Sequence, residues 1–226
     1  MVGLRPDYTF DRFVDTKSTI RARRACAAVA EWDPSAPRLL VLYGPPGTGK
    51  THLLHATGHA ALQRDPNARV LRATARDLAT DLLKALRRDD LGMFENKYRE
   101  FDLLLVDDIQ DLAALQATQA QLTVHWQSWI DHGARIVLAG MCGRRVAESF
   151  DVRPHRSRVR HVGFRRVPVP DLRRIAQAWG WAQNTEPIPP RHLSRLIRRS
   201  SGDVRRVLGG LAQFEARTRL QDPRIE

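Results

Sequence analysis

The sequence predicts an α/β domain, with a parallel sheet sandwiched by helices, followed by a small all-helical domain. Through residue 167, short and nearly continuous apolar runs alternate with longer stretches of helical spacing, a pattern typical of buried parallel strands joined by helices. A glycine-rich segment follows the first apolar run directly. After the proline-rich residues 168–170 the apolar runs stop, and only stretches of helical length follow. We therefore expect domains at 1–168 and 169–226.

Individual elements follow from the same patterns, taken in chain order. Strands are predicted at residues 38–43, 69–73, 101–106 and 135–139, with a weaker candidate at 162–167. Helices are predicted between them, at 52–63, 75–88 and 116–132, and then at 171–182, 190–199 and 203–220. Asp171 and the cluster 201–203 are expected to cap the helices that follow them, while three prolines indicate a loop over 184–190.

Composition excludes several classes of protein. The chain has 226 residues, of which 42% are hydrophobic, so it is long and apolar enough to bury a large core. No apolar run approaches the length of a membrane span, and the first residues lack the apolar stretch of a signal peptide. Two cysteines, Cys26 and Cys142, are too few for a disulfide framework. We expect a cytoplasmic protein with no membrane partner, and this expectation is compatible with association with the nucleoid.

The net charge of +12 is distributed unevenly. Residues 1–140 have a net charge of +1, whereas residues 141–226 have a net charge of +11 and all 19 of their basic residues are arginine. One interpretation is a solvated surface. The other is contact with phosphate groups of a nucleotide or nucleic acid, because the planar guanidinium matches phosphate geometry.

The glycine-rich segment fits the phosphate-loop pattern G-x-x-x-x-G-K-[ST] at every fixed position. Its residues are Gly44, Pro45, Pro46, Gly47, Thr48, Gly49, Lys50 and Thr51. The glycines allow backbone amides to converge on phosphate oxygens, and the next helix adds its positive N-terminal end. Lys50 is expected to bind the β- and γ-phosphates of ATP, and the Thr51 hydroxyl to bind Mg²⁺.

A nucleotide-binding site of this kind also needs a carboxylate that holds the metal ion, at the end of a neighbouring strand. Two acids follow the apolar run that ends at Val106. Asp107 is expected to hold Mg²⁺, and Asp108 to polarise the water that attacks ATP. The alternative is a strand end capped by two solvated aspartates. Three histidines at helical spacing, His52, His55 and His59, lack an accompanying acid or cysteine at ligand spacing, so we interpret them as packed or surface residues rather than a metal site.

Several segments resemble the AAA+ module of the DnaA/Hda family of replication initiators, with coverage from about residue 7 to about residue 218. The likeness is carried by residues 8–14 (YTFDRFV), 44–56 (GPPGTGKTHLLHA), 94–99 (FENKYR), 102–110 (DLLLVDDIQ) and 202–205 (GDVR). The resemblance implies a P-loop AAA+ fold with a helical lid domain. It also implies ATP or ADP with Mg²⁺ as cofactors, and it adds Phe10, Phe13, Val14 and His52 to the nucleotide-binding residues.

The same resemblance assigns roles to two arginines. Arg158 matches the arginine finger that reaches the ATP of a neighbouring subunit, where it stabilises charge on the transferring phosphoryl group. The alternative is that Arg156, Arg158 and Arg160 form one exposed face of an extended segment. Arg205 matches the sensor 2 arginine, which is expected to project from the lid domain onto the γ-phosphate.

The sequence also departs from the family pattern. Met141 lies where the family has a polar sensor 1 residue, so we expect hydrolysis of ATP to be slow. The loop after Gln110 lacks the basic residues that the family offers to single-stranded DNA and has Leu115 and Ala117 instead. Because the sequence ends at Glu226, we expect no sequence-specific reader of duplex DNA.

Three functions are compatible with these observations. The leading hypothesis is an ATP/ADP switch that controls replication initiation by assembling with itself or with a DnaA-type initiator. The alternative is an ATPase similar to a helicase loader or a mobile-element accessory protein, whose basic C-terminal part binds nucleic acid non-specifically. A third hypothesis is a structural ATP-binding module that no longer hydrolyses ATP.

Overall fold

A computed structural model describes residues 3–98, 100–112, 115–150, 156–182 and 188–220. Five strands and nine α-helices lie within these ranges. In chain order they are α1 (Ile20–Ala30), β1 (Leu39–Tyr43), α2 (Lys50–Arg64), β2 (Val70–Thr74), α3 (Ala75–Arg87), α4 (Leu91–Tyr98), β3 (Leu103–Asp107), α5 (Gln116–Asp131), β4 (Arg135–Gly140), α6 (Arg144–Glu148), β5 (Val159–Gly163), α7 (Val169–Ala182), α8 (Pro190–Ser200) and α9 (Val204–Leu220). None of the helices in these ranges has the length and apolarity needed to cross a membrane.

The five strands form one parallel sheet in the order β2-β3-β4-β1-β5. Since all strands run in the same direction, their carboxyl ends meet at one edge of the sheet, where ligands of open α/β sheets bind. Tyr43 of β1, Asp107 of β3 and Gly140 of β4 end their strands at this edge. The predicted parallel sheet between helices is thereby confirmed, and its topology brings the two halves of the phosphate motif to the same side.

Alternate residues of the central strands enter two separate hydrophobic layers. In β1, Leu39 and Val41 pack into the layer beneath α3, α4, α5 and α6, whereas Leu40 and Leu42 pack into the layer beneath α1 and α2. All four side chains are fully buried. This two-sided burial explains why the strands read as continuous apolar runs rather than as alternating patterns.

Helix α1 was missing from the sequence prediction, although its buried residues Ala22, Cys26 and Val29 recur at helical spacing. The buried Arg135, the first residue of β4, forms hydrogen bonds to the C-terminal end of this helix and to the residues that follow it. The guanidinium of Arg135 donates to the carbonyl oxygens of Ala28, Val29 and Asp33 at 2.9–3.2 Å. These bonds satisfy carbonyls at the C-terminal end of the helix, where a positive charge is favourable.

The chain divides into two compact units. The second consists of residues 165–226 together with the short segments Thr16–Ser18 and Pro45–Gly49, and the remaining residues form the first. Within the second unit, α7, α8 and α9 enclose a small core of six buried apolar side chains, namely Val167, Leu172, Ala176, Ile197, Val207 and Leu211. The helical character predicted after residue 168 agrees with this unit, while the boundary between 168 and 169 stays a prediction.

Four local predictions need correction or qualification. Strand β5 spans Val159–Gly163, so the weaker candidate at 162–167 lay several residues too late. Helix α7 begins at Val169, which places Asp171 inside its first turn rather than at its cap. Asp203 does cap α9, since its carboxylate accepts the backbone N–H of Arg206 at 3.2 Å. Most of the loop predicted at 184–190 lies outside the described residues.

Candidate nucleotide-binding site

The phosphate loop connects the central strand β1 to the start of α2. Gly44 has a φ of +138°, and a side chain there would place its Cβ 2.5 Å from the carbonyl oxygen of Phe164, so only glycine fits. The Thr48 hydroxyl donates to the Pro45 carbonyl at 2.9 Å, which tightens the turn. Thr48 is buried and Pro46 is exposed, while Pro45, Gly47 and Gly49 are half-buried.

Lys50 lies in the first turn of α2 and points back into the loop. Its Nζ donates to the Gly44 carbonyl at 2.9 Å, and the residue is only 7% exposed. A buried ammonium is costly unless anionic or polar groups satisfy it. Phosphate oxygens form charge-assisted bonds that are stronger than a bond to a neutral carbonyl. The local geometry is therefore suited to exchange of this carbonyl for a phosphate group.

Thr51 and Asp107, the two residues expected to bind Mg²⁺, lie together. Their side chains are hydrogen-bonded, and Asp107 is 5% exposed. Burial, and then the negative charge of Asp108, raise the pKa of the Asp107 carboxyl above its ordinary value. A buried carboxylate beside a hydroxyl is an oxygen donor set that suits a hard divalent cation.

No group of three or more potential His, Cys, Asp or Glu ligands occurs among the described residues. Magnesium sites that depend on substrate phosphates commonly use only one or two carboxylates, with water and phosphate oxygens completing the shell. The pair of Thr51 and Asp107 fits this type of site.

Asp108 adopts a left-handed backbone conformation, with φ of +58°, at the point where β3 ends. Its N–H donates to Oδ1 of Asp107 at 2.9 Å, and its own carboxylate remains exposed at the sheet edge. Non-glycine residues with positive φ are uncommon and are concentrated at functional sites. The backbone therefore turns so that the two neighbouring acids take different positions, one buried and one exposed.

Gln110 connects Asp108 to the segment that follows β4, a link that the sequence analysis missed. Its Nε2 donates to Oδ1 of Asp108 at 2.9 Å, and its Oε1 accepts the N–H of Met141 at 2.7 Å. Gly140 makes this approach possible, because a Cβ there would lie 2.8 Å from Oε1 of Gln110 and 2.5 Å from a side-chain carbon of Ile109. The Met141 side chain itself is 52% exposed. The amide of Gln110 thus joins the strand end carrying Asp108 to the backbone of Met141, the residue that the sequence analysis aligns with sensor 1.

The three histidines of α2 form hydrogen bonds to the backbone of the N-terminal segment, at Arg5 and Thr9. Nε2 of His52 donates to the Thr9 carbonyl at 2.8 Å, and Nε2 of His59 donates to the Arg5 carbonyl at 2.9 Å. Nδ1 of His55 accepts the Arg5 N–H at 2.9 Å. Burial, together with the positive charge of Arg72, lowers the pKa of His55 to about 4, so it is neutral near pH 7 and can accept this bond. The interpretation of the histidines as packed residues agrees with these contacts.

Aromatic residues complete the contact between the N-terminal segment and α2. The Tyr8 ring stacks on His52 with centroids 4.7 Å apart, and Phe13 meets the same imidazole edge-on at 5.1 Å. Phe10 packs against the core layer beneath α1 and α2, and Val14 is half-buried. Phe13 and His52, both in the predicted nucleotide-binding set, are therefore brought into contact, and His52 lies two residues after Lys50 in α2.

The two arginines assigned by resemblance are both exposed. Arg158 ends a 3₁₀ turn (Arg156–Arg158), and the extended strand begins only at Val159, so the alternative of one continuous extended face is wrong for this segment. Arg205 is the second residue of α9. Within the second unit, the N–H of Val204 donates to the Gly47 carbonyl at 2.8 Å, so the residue before Arg205 contacts the phosphate loop.

Comparison with known proteins supplies the family. Residues 4–160 match the model of the bacterial DnaA ATPase domain. The chain belongs to this DnaA family. It is 35% identical over 215 residues to the chromosomal replication initiator protein DnaA of Roseiflexus castenholzii, covering 94% of this chain and 45% of that protein. It is 45% identical over 118 residues to the DnaA of Chloroflexus aurantiacus, covering 52% of this chain and 25% of that protein. The chain thus spans less than half the length of these relatives.

Solved structures agree with the DnaA assignment. Domain III of the Thermotoga maritima replication initiation protein DnaA superposes with a TM-score of 0.83 at 25% identity, covering 99% of this chain and 93% of that one. DnaA from Aquifex aeolicus, solved with AMPPCP bound, has a TM-score of 0.73 at 24% identity, covering 94% and 65% of the two chains. The fold is accordingly that of a DnaA-type AAA+ ATPase domain, related to replication initiation.

Proposed function

We propose that this DnaA-type module binds ATP and ADP with Mg²⁺ through the phosphate loop and acts as a nucleotide-dependent switch in replication initiation. One observation carries the proposal: the hydrogen-bonded pair of Thr51 and Asp107 lies at the same sheet edge as the buried Lys50. These three residue types supply a metal-binding hydroxyl, a metal-binding carboxylate and a phosphate-binding ammonium. The AMPPCP-bound relative supports the choice of nucleotide.

Each residue of the site receives a role in this proposal. The backbone from Gly44 to Gly49 binds the phosphates, with Lys50 on the β- and γ-phosphates, while Phe10, Phe13, Val14 and His52 border the nucleotide. Thr51 and Asp107 would hold Mg²⁺, which neutralises charge on the phosphates when bound. Asp108 orients the attacking water. Arg205 senses the γ-phosphate from a helical domain that we propose to begin at residue 169.

Assembly is the second part of the proposal. We assign Arg158 as the residue that reaches the nucleotide of a neighbouring molecule, which is either a second copy of this chain or a DnaA-type initiator. The exposed position of Arg158 on a short turn is compatible with a contact of this kind. ATP would then favour assembly and ADP would not, because only the γ-phosphate carries the charge that the arginine compensates. A helicase-loader role has weaker support, since the DnaC helicase loader matches with a TM-score of only 0.53 at 16% identity.

Nucleotide binding is tested by titrating the chain with fluorescent ATP and ADP analogues in the presence of Mg²⁺. Lys50→Ala should weaken the affinity for both at least about tenfold, because a hydrogen bond to a charged phosphate contributes about 1.5–3 kcal/mol. Lys84→Ala, which removes an exposed lysine from α3, is the matched control and should leave the affinity unchanged. Absence of nucleotide binding by the native chain would refute the proposed function.

Assembly is tested by sedimentation velocity with ATP or ADP, with and without a DnaA-type initiator. We expect a faster-sedimenting species only with ATP, and we expect Arg158→Ala to abolish it without changing the affinity for nucleotide. Arg160→Ala, which removes the exposed arginine of β5, serves as the control. Assembly that is equal with ATP and ADP, or that survives Arg158→Ala, would contradict the assigned role of this arginine.

A further inference from the structure

Helix α8 has one apolar face and one face made of arginine. Leu193, Leu196 and Ile197 pack into the core of the second unit. On the other side, at about 100° per residue, four arginines fall within an arc of about 100°. They are Arg191, Arg195, Arg198 and Arg199, which we call the α8 arginine face, and all four are exposed.

Among the described residues, no ion pair joins an acidic side chain to the α8 arginine face. Residues 165–220 contain 12 arginines, no lysine and only four acids, and none of these acids lies on α8. Within the described residues of this unit, Asp171 pairs with Arg174 and Asp203 with Arg206, so these two carboxylates bind arginines of α7 and α9. Like charges three and four positions apart on a helix destabilise it. A polyanion bound to this face would remove that repulsion.

We propose that the α8 arginine face binds the phosphate backbone of a nucleic acid. Arg191 and Arg199 are eight residues apart, which corresponds to about 12 Å along a helix. Phosphates along one strand of a duplex follow one another at about 3.4 Å of axial rise, so this length spans three to four of them. Four guanidinium groups on one face therefore match a short run of phosphates in number and in length.

Two features of α8 favour the phosphate backbone of a nucleic acid over an anionic membrane and over stacked bases. A helix that lies on an anionic membrane inserts an apolar face into the lipid, but the apolar face of α8 is already packed in the protein core. The arginine face includes no aromatic side chain on which a base could stack. Contact with phosphate alone carries no sequence information, so the binding should be independent of nucleotide sequence.

The test measures the salt dependence of binding by the full chain. Fluorescence anisotropy with a labelled mixed-sequence 20-mer, as duplex and as single strand, is followed from about 50 to 200 mM salt. Replacement of all four face arginines by glutamine should weaken binding at least about tenfold at the lowest salt. It should also make the slope of log K against log salt shallower by about 3, since each phosphate contact contributes about 0.9 for duplex and 0.7 for single-stranded nucleic acid.

A matched variant controls for net charge. Arg21, Arg24, Arg64 and Arg87 are exposed on helices of the first unit, and their replacement by glutamine lowers the charge by the same amount. This variant should keep a slope within about 1 of the native value. Circular dichroism melting of both variants verifies that they remain folded.

Three results would overturn the inference. The first is undetectable or salt-independent binding by the native chain. The second is an equal loss in the two variants, because net charge alone would then explain the binding. The third is tighter binding to phosphatidylglycerol vesicles than to either nucleic acid, with that binding abolished by the α8 variant, which would assign the face to a membrane.

Discussion

Trp126→Ala should destabilise the fold by about 3–5 kcal/mol. Trp126 is fully buried in α5, within the layer that covers one side of the sheet, and its ring centroid lies 5.8 Å from that of Phe150. Truncation removes the largest fully buried side chain of the described residues and leaves a cavity that the closely packed strands cannot fill by collapsing. Urea unfolding followed by far-UV circular dichroism measures the loss as a lower midpoint.

Trp126→Phe separates packing from hydrogen bonding at the same position. The Nε1 of Trp126 is buried and has no hydrogen-bond partner within the described structure. An unsatisfied buried donor costs about 1–3 kcal/mol, so removing it should offset most of the packing lost on going to the smaller ring. We expect a change below about 2 kcal/mol. If phenylalanine were as destabilising as alanine, the indole N–H would contribute to stability rather than cost it, and the prediction would be wrong.

The sequence was sufficient to predict the elements whose signals are local. Leu39 to Leu42 are apolar because both faces of β1 are covered, so a continuous apolar run was a reliable sign of a central strand. The phosphate loop was equally predictable from the sequence, because Gly44 and Lys50 belong to one contiguous motif with a fixed geometry. The pairing of Thr51 with Asp107 required one further step, namely that parallel strands end at the same edge.

Contacts between distant segments could not be predicted in this way. His55 and His59 bind backbone atoms of Arg5, 50 and 54 positions away, and no spacing within α2 indicates that partner. Helix α1 was missed because its buried face is composed mainly of alanine and cysteine, whose weak apolar signal lies between arginines. Gln110 depends on tertiary register, since its acceptor role requires the backbone of residue 141 to approach across Gly140.

Gln110→Ala should lower the rate of ATP hydrolysis about a hundredfold while leaving the affinity for ATP within about threefold of the native value. The amide of Gln110 is bonded to the Asp108 carboxylate and to the Met141 backbone, but to no group of the phosphate loop. Its loss frees Asp108 to rotate. Under the role that we propose for Asp108, a displacement of about 1 Å of the group that orients the attacking water costs about a hundredfold in rate. Single-turnover hydrolysis with excess protein, beside an equilibrium titration with a slowly hydrolysed analogue, measures the two quantities separately.

Two further variants decide whether Gln110 acts through Asp108. Gln110→Glu keeps an oxygen for the Met141 N–H but places a carboxylate against Asp108, so it should be at least as slow as the alanine variant. Gln121→Ala, an exposed glutamine of α5, is the control for a glutamine truncated outside this contact. Rates that fall in parallel with affinity would indicate a general distortion of the phosphate loop. An unchanged rate in Gln110→Glu would show that the bond to Asp108 does not orient the water, and the connection to residue 141 would then be purely structural.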